Sequence, residues 1–255
     1  MSHDVLAEQT SGENLRPLRN LYREEMNCQI VHDSIHRRPG WTLTYVLRIG
    51  DVTVGYGSLA VGGPWKDRAT LLEFYVLPEW RTRAFDLFDA LLKVSSPRFM
   101  ETQSNDSLSA VMLNTYAHHI ASEKIVFRDS AAVTLPSHGA TLLQVTSNEE
   151  IQAHIKDRQG GAEWMLELNG SAIGKGGIMF HYNPPYGDIY MEVAEPFRRK
   201  GFGSYLVQEL KSAARMLNAT PCARCDTTNI ASRRTLQKAG FVPFANIMTG
   251  DLGEP

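Results

Sequence analysis

The chain repeats an outline, and an internal repeat restricts the choice of fold more than any other feature of a sequence. One copy runs Leu71-Leu-Glu-Phe-Tyr-Val76-Leu-Pro78-Glu-Trp-Arg81, then Thr-Arg-Ala84-Phe-Asp86, then an apolar-periodic stretch ending at Val94. The other runs Ile189-Tyr-Met-Glu-Val193-Ala-Glu-Pro196-Phe-Arg198, then Arg-Lys-Gly201-Phe-Gly203, then an apolar-periodic stretch ending at Leu217. In both, valine precedes arginine by five positions. The segments upstream also match. The spacing predicts strands over 41–51 and 52–60 meeting at Gly50-Asp51, and over 164–168 and 172–180 meeting at Asn169-Gly170, a dipeptide suited to a hairpin turn. We read two homologous halves of α+β (α/β three-layer) type, each a mixed, mostly antiparallel twisted sheet flanked by helices. The join falls in the polar stretch Leu135-Pro-Ser-His-Gly139, giving domains 1–137 and 138–255. The first ten residues are polar and expected to be loose.

In the second half the periodicity predicts a strand over 141–145 and a helix over 149–156 with Ser147 or Asn148 as N-cap. A strand follows over 188–193, then a helix from about 203 with Leu206, Leu210, Ala213, Ala214 and Leu217 on one face. A short strand over 223–227, a helix over 230–239 stopped by Gly240, and a strand over 241–252 that closes this sheet complete the half. In the first half, a helix over 14–28 with Leu15, Leu18, Leu21, Tyr22 and Met26 is expected to pack on its own sheet, the alternative being that it shapes the acceptor cleft between the halves.

Composition removes several classes of function. With 26 Lys+Arg against 28 Asp+Glu the net charge is −2, so the chain as a whole attracts neither nucleic acid nor an anionic membrane. Three cysteines, Cys28, Cys222 and Cys225, are too few for a disulfide framework and fit a reducing, cytoplasmic setting. The N-terminus has no basic start followed by an apolar run, and no stretch approaches the roughly 20 apolar residues of a membrane span. Cys222-Ala-Arg-Cys225 has no second pair to complete a zinc site, and the adjacent His118 and His119 diverge on any regular element, so no metal is expected.

The chemistry lies in Arg198-Arg-Lys-Gly201-Phe-Gly203-Ser204, between a strand and a helix. Its glycines let the backbone approach a ligand, the helix start adds free N–H groups, and Arg198, Arg199 and Lys200 add positive charge. The combination suits a pyrophosphate. The dinucleotide fingerprint fails because its third glycine position is Leu206, and the Walker loop fails because Gly170 and Gly174-Lys175 are one residue too close.

These residues resemble motif A (R/Q-x-x-G-x-G/A) of the GNAT acyltransferases. Asn229, followed by a helix ending Lys238-Ala239-Gly240-Phe241, is similar to the family's second signature. The match covers about residues 140–250. The first half resembles the same fold, but Ala84 and Asp86 replace both motif glycines, and a carboxylate there repels a pyrophosphate. The resemblance implies a tandem GNAT protein whose N-terminal half has lost cofactor binding. It implies that the backbone of Met191, Glu192 and Val193 pairs with the pantetheine arm of acetyl-CoA, with the Val193 N–H polarising the acyl carbonyl. The backbone of Arg199, Lys200, Gly201, Phe202, Gly203 and Ser204 would hold the pyrophosphate, and Asn229 would contact the lower pantetheine arm. The reaction would transfer an acetyl group directly to the amine of a small molecule or peptide in a ternary complex, with no metal, nucleic acid or membrane involved, and a monomer slightly favoured over a dimer.

Two departures matter. Leu236 stands where many members place a tyrosine that protonates the leaving thiolate. The base is unassigned among Glu192, Asp188 and Asp226, with Glu192 favoured. The alternative reading is a catalytically weak acyl-CoA-binding regulator or sensor; a third is a cofactor-free structural or partner-binding protein. The loop His181-Tyr-Asn-Pro-Pro-Tyr186 is either a rigid turn with exposed aromatics or a wall of the acceptor pocket.

Overall fold

Two compact units divide the chain, and neither is continuous in sequence. The computed structural model describes residues 4–253. Among them, 4–28, 35–123 and 246–253 form the first unit, and 29–34 with 124–245 form the second. Residues 138–245 of the second sequence domain all fall in the second unit, while the changeovers at 123/124 and 245/246 lie within strands and none lies at 137.

The first unit carries β1 (Val5–Thr10), α1 (Arg16–Met26), β2 (Thr42–Ile49), β3 (Val52–Ala60), β4 (Thr70–Val76), α2 (Ala84–Ser95), β5 (Phe99–Gln103), α3 (Ser107–Tyr116) and the start of β6 (His118–Asp129). β1 corrects the expectation of a loose start. It pairs antiparallel with β2 from Val5 opposite Ile49 to Thr10 opposite Thr44, and Val5 and Ala7 pack on the core. Two alternating apolar residues are too short a signal to reveal an edge strand. Leu15, just before α1, and Tyr22 and Met26 within it are buried as expected, but Leu21 is exposed and Arg19 turns inward instead. A buried partner described below draws it in.

The second unit carries β7 (Thr141–Gln144), α4 (Asn148–Asp157), β8 (Gly161–Leu168), β9 (Ser171–Met179), β10 (Tyr186–Val193), α5 (Phe202–Met216), β11 (Thr220–Asp226), α6 (Ile230–Lys238) and the start of β12 (Phe241–Asp251). Ser147 caps α4 in a reciprocal box with Glu150. Asn169 and Gly170 turn between β8 and β9 at φ of 51° and 76°, the left-handed pair that such a hairpin requires. α5 buries Leu206, Leu210, Ala213 and Ala214 against a core that includes Trp164, Leu166, Ile178 and Phe241. Gly240, at φ 86°, follows α6, and a Cβ there would stand 2.3 Å from the Ala131 carbonyl oxygen.

The last strand departs from expectation. β12 does not close the second sheet alone: its later residues pair antiparallel with β5 of the first unit, Ile247 opposite Gln103 and Asp251 opposite Phe99. The second sheet is completed by β6, which pairs with β11 from Arg128 opposite Cys222 to Lys124 opposite Asp226. Hydrophobic periodicity specifies a strand but not its partner. Within the units the strand orders are β1-β2-β3-β4-β5-β12 and β6-β11-β10-β9-β8-β7.

Candidate functional site

β10 is paired on one side along its length and on the other only at its start. It runs antiparallel to β9 from Asp188 opposite Met179 to Val193 opposite Gly174. Its parallel pairing with β11 begins at Tyr186 opposite Thr220 and stops at Ile189 opposite Ala223. Beyond Ile189 the two strands separate. The Ala194 N–H donates towards β9, to the Ile173 carbonyl at 2.9 Å. Alternation therefore turns the peptide groups of Met191 and Val193 towards the open side, and those of Glu192 towards β9. The Val193 carbonyl is already taken, by Arg198 Nε at 2.9 Å. The Met191 N–H and C=O and the Val193 N–H thus face a groove of about 890 Å³.

The groove ends at the loop before α5. Arg199 at φ 62° and Gly201 at φ 92° bracket Lys200, and such left-handed turns gather successive N–H groups into an anion-binding concavity. The first-turn N–H groups of α5 add to it. A Cβ at Gly203 would stand 3.3 Å from Thr235 Cγ2, 3.7 Å from Val193 Cγ2 and 3.8 Å from Met191 Sδ, so this glycine lies where β10, α5 and α6 converge. The expected residues serve in different ways. Arg198 clamps the end of β10, Phe202 is buried against Phe197 and His138, and Lys200 is exposed with its ammonium over the Phe197 ring. Asn229 lines the groove while its Oδ1 accepts from the Ser232 N–H as the N-cap of α6, so its capping and contact roles coexist.

A second cleft of about 330 Å³ shares Met191, Asn229 and Ser232 with the groove. Leu236 lines it too, 3% exposed and with no proton to give. Glu192 lies outside it. Its side chain is exposed and faces Lys175 directly across the ladder, Nζ to Oε2 3.8 Å. Asp188, four residues back along the same face, is 1% exposed and lines the cleft. Burial raises its carboxyl to about 6, against the lowering pull of Arg224 and His32. Arg224 Nε donates to Asp188 Oδ2 at 3.1 Å, its terminal nitrogen donates to the Tyr182 hydroxyl, and its guanidinium lies over the Tyr182 ring. His32, from the 29–34 segment, meets Tyr182 edge-on with ring centroids 5.1 Å apart.

Sequence reasoning missed Arg224 and His32, and named Tyr182 only as part of its loop. Parallel register, which no local pattern reveals, brings Arg224 to Asp188. Tyr182 is 3% exposed, so the expectation of exposed aromatics in its loop does not hold for it. Cys222 and Cys225 are buried free thiols on β11, and among the described residues no group of three or more His, Cys, Asp or Glu is placed to hold a metal.

The first unit shows the same scaffold closed. Arg81 Nε clamps the Val76 carbonyl at 3.0 Å, as Arg198 clamps Val193. β4 pairs with β5 only at Thr70 and Leu71, so it too parts from its neighbour. Here, however, the Ser109 hydroxyl donates to the Phe74 carbonyl at 3.3 Å, in the place corresponding to the free Met191 carbonyl. The chain turns through a 3-10 turn, Pro78–Arg83, straight into α2 with no left-handed residue, and Asp86 pairs with Arg83 at 2.6 Å.

Residues 134–241 match the profile of the acetyltransferase (GNAT) family. No curated protein matches the chain. Among solved structures, the fold is similar to an acetyltransferase from the GNAT family of Colwellia psychrerythraea (TM-score 0.70, 13% identity, covering 97% of this chain and 99% of that one). It is also similar to a tandem GNAT protein from the clavulanic acid biosynthesis pathway (TM-score 0.62, 14% identity, 99% and 100% covered). Mixed, mostly antiparallel sheets flanked by helices, with likeness to GNAT folds over nearly the whole chain, define a tandem acetyltransferase-type architecture. The match to the GNAT family thus covers residues 134–241, and the fold over nearly the whole chain is GNAT-like.

Proposed function

We propose that this protein is an acetyl-CoA-dependent N-acyltransferase that works in its second unit and passes an acetyl group directly to a primary amine of a small molecule or peptide. One observation carries the reading. The main-chain groups of Met191 and Val193 that face the groove are unpaired where β10 and β11 separate, and they lead towards the left-handed loop at the start of α5. A pantetheine arm adds to such an edge as an extra strand, and the loop receives its pyrophosphate. The Val193 N–H is then placed to polarise the thioester carbonyl and stabilise the oxyanion. The first unit, with the corresponding carbonyl occupied and its loop helical, holds no second acetyl-CoA. The three free cysteines suit a reducing cytoplasm.

A second reading, an acyl-CoA sensor with little turnover, draws on Leu236, which supplies no acid for the thiolate. Release of free thiol from acetyl-CoA, followed over hours with a panel of small primary amines and a lysine-bearing peptide, separates the two. The transferase reading expects release that depends on the amine added. Saturable binding with no amine-dependent release across the panel favours the sensor.

A further inference from the structure

Arg224, on the wall of the small cleft, is fixed at two of its three guanidinium nitrogens. Nε donates to Asp188 Oδ2 at 3.1 Å, and one terminal nitrogen donates to the Tyr182 hydroxyl. The guanidinium also lies over the Tyr182 ring, 4.7 Å from its centroid, and that ring meets His32 edge-on. Asp188 and Tyr182 are both buried, so they hold the group rigidly. The other terminal nitrogen has no hydrogen-bond partner among the described residues and keeps contact with solvent, on a side chain 24% exposed. A planar guanidinium fixed at two nitrogens presents the third, with its paired N–H groups, to an oxyanion.

A second cation stands beside it. Lys124 on β6 lies opposite Asp226, and Asp226 and Arg224 share one face of β11, so Lys124 is the diagonal neighbour of Arg224 across the ladder. Lys124 pairs with Asp226, both part-exposed. Along the cleft two cations, Arg224 and Lys124, thus stand with two carboxylates, Asp188 and Asp226. A zwitterion enters such a site without changing its charge, whereas a bare alkylammonium or a bare carboxylate adds one. The cleft joins the groove at Met191, Asn229 and Ser232, so an amine at that junction lies beside the position proposed for the thioester.

Resting on the transferase reading above, we infer that the acceptor is a small amino acid, its carboxylate held by the open nitrogen of Arg224 with Lys124 beside it. Its amine meets the thioester where cleft and groove join. About 330 Å³ lies at the small end of ligand pockets and suits such a molecule. Asp188 and Tyr182 are positioning residues that set the plane of the guanidinium. In turnover the amine nitrogen bonds to the thioester carbon as the C–S bond breaks. Of the two protons its ammonium loses, one goes to the CoA thiolate and one to water, and the carboxylate is unchanged.

The test sets glycine, β-alanine and 4-aminobutyrate against methylamine, ethylamine and n-propylamine, the same amines without the carboxylate. Each is titrated by calorimetry into the full chain saturated with CoA. In wild-type protein at least one amino acid is expected to bind about tenfold or more tighter than its alkylamine, the worth of one charge-assisted hydrogen bond. Arg224→Lys keeps a charge beside Asp188 but loses the fork, and should bring that preference to about twofold or less. Lys124→Met, at a part-exposed position, should reduce it about threefold. The ratio within each pair is the readout, because a merely structural change weakens both members alike. No preference in any pair, no probe bound to CoA-loaded wild type, or an unchanged preference in either variant overturns the assignment. The wild-type series and Lys124→Met stand even if Arg224→Lys does not fold. Failure of the wild type to take up CoA is a separate result, which removes the transferase reading and this assignment with it.

Discussion

Gly203→Asp is expected to weaken acetyl-CoA binding at least about 100-fold, which is about 2.7 kcal/mol. Two effects add. The new Cβ stands 3.3 Å from Thr235 Cγ2, closer than most packed carbons, so the junction of β10, α5 and α6 must give way slightly. The carboxylate then sits in the first turn of α5, where a pyrophosphate and the same N–H groups would meet. A carboxylate at a helix start is favourable for the helix itself by about 0.3–1 kcal/mol, so the melting temperature should change little while binding is lost. The first unit already holds this arrangement, with Asp86 in the first turn of α2 paired to Arg83 at 2.6 Å. Gly203→Ala isolates the steric part and should cost less than a tenth of that affinity loss. Calorimetry with a parallel thermal scan checks both; a Gly203→Asp protein binding within threefold of wild type would remove the loop from the account.

The second large effect is on stability. Glu73 on β4 is 2% exposed, and its oxygens meet Arg19 Nε and a terminal Arg19 nitrogen at 3.2 Å, His36 Nε2 at 2.9 Å and the Tyr56 hydroxyl at 2.8 Å. Glu73→Ala leaves Arg19 buried without its counter-charge, and removing one partner of a buried pair costs about 3–5 kcal/mol. Burial alone would push the Glu73 carboxyl up, but Arg19 and His36 outweigh it and hold the group well below the usual range. A carboxyl held low in the folded state contributes stability above its unfolded value of 4.5, and that contribution is lost as pH falls through the folded value. The wild-type urea midpoint should therefore drop as pH is lowered below about 4.5, and the Ala variant should lack that component. A loss under about 1 kcal/mol at neutral pH would show that the cluster is stabilised in some other way.

The repeat made much of this architecture legible before any coordinates. Val76–Arg81 and Val193–Arg198 share their spacing because in each half the arginine clamps the valine carbonyl, and five residues are what the turn between them needs. The turn at Asn169-Gly170, the cap at Ser147 and the stop at Gly240 were readable because each depends on residues adjacent in sequence. What depends on distant partners was not. Nothing in 241–252 tells that its second part pairs with β5, and Arg19 reads as the polar side of α1 until Glu73 is placed beside it. The same limit decides the site. Glu192 and Asp188 lie on one face of one strand and look alike in sequence. Only the burial of the second, beneath Arg224 from the neighbouring strand, separates a solvated surface pair from a carboxyl that anchors a guanidinium.

The central claim is that one unit binds acetyl-CoA and the other has closed its groove. Calorimetric titration of the full chain with acetyl-CoA tests it most directly. The account predicts a single binding event with a stoichiometry near one per chain, abolished by Gly203→Asp. A stoichiometry of two would contradict the closure of the first unit by Ser109 and Asp86, and no binding at all would contradict the reading of β10, the loop and α5 as a cofactor groove.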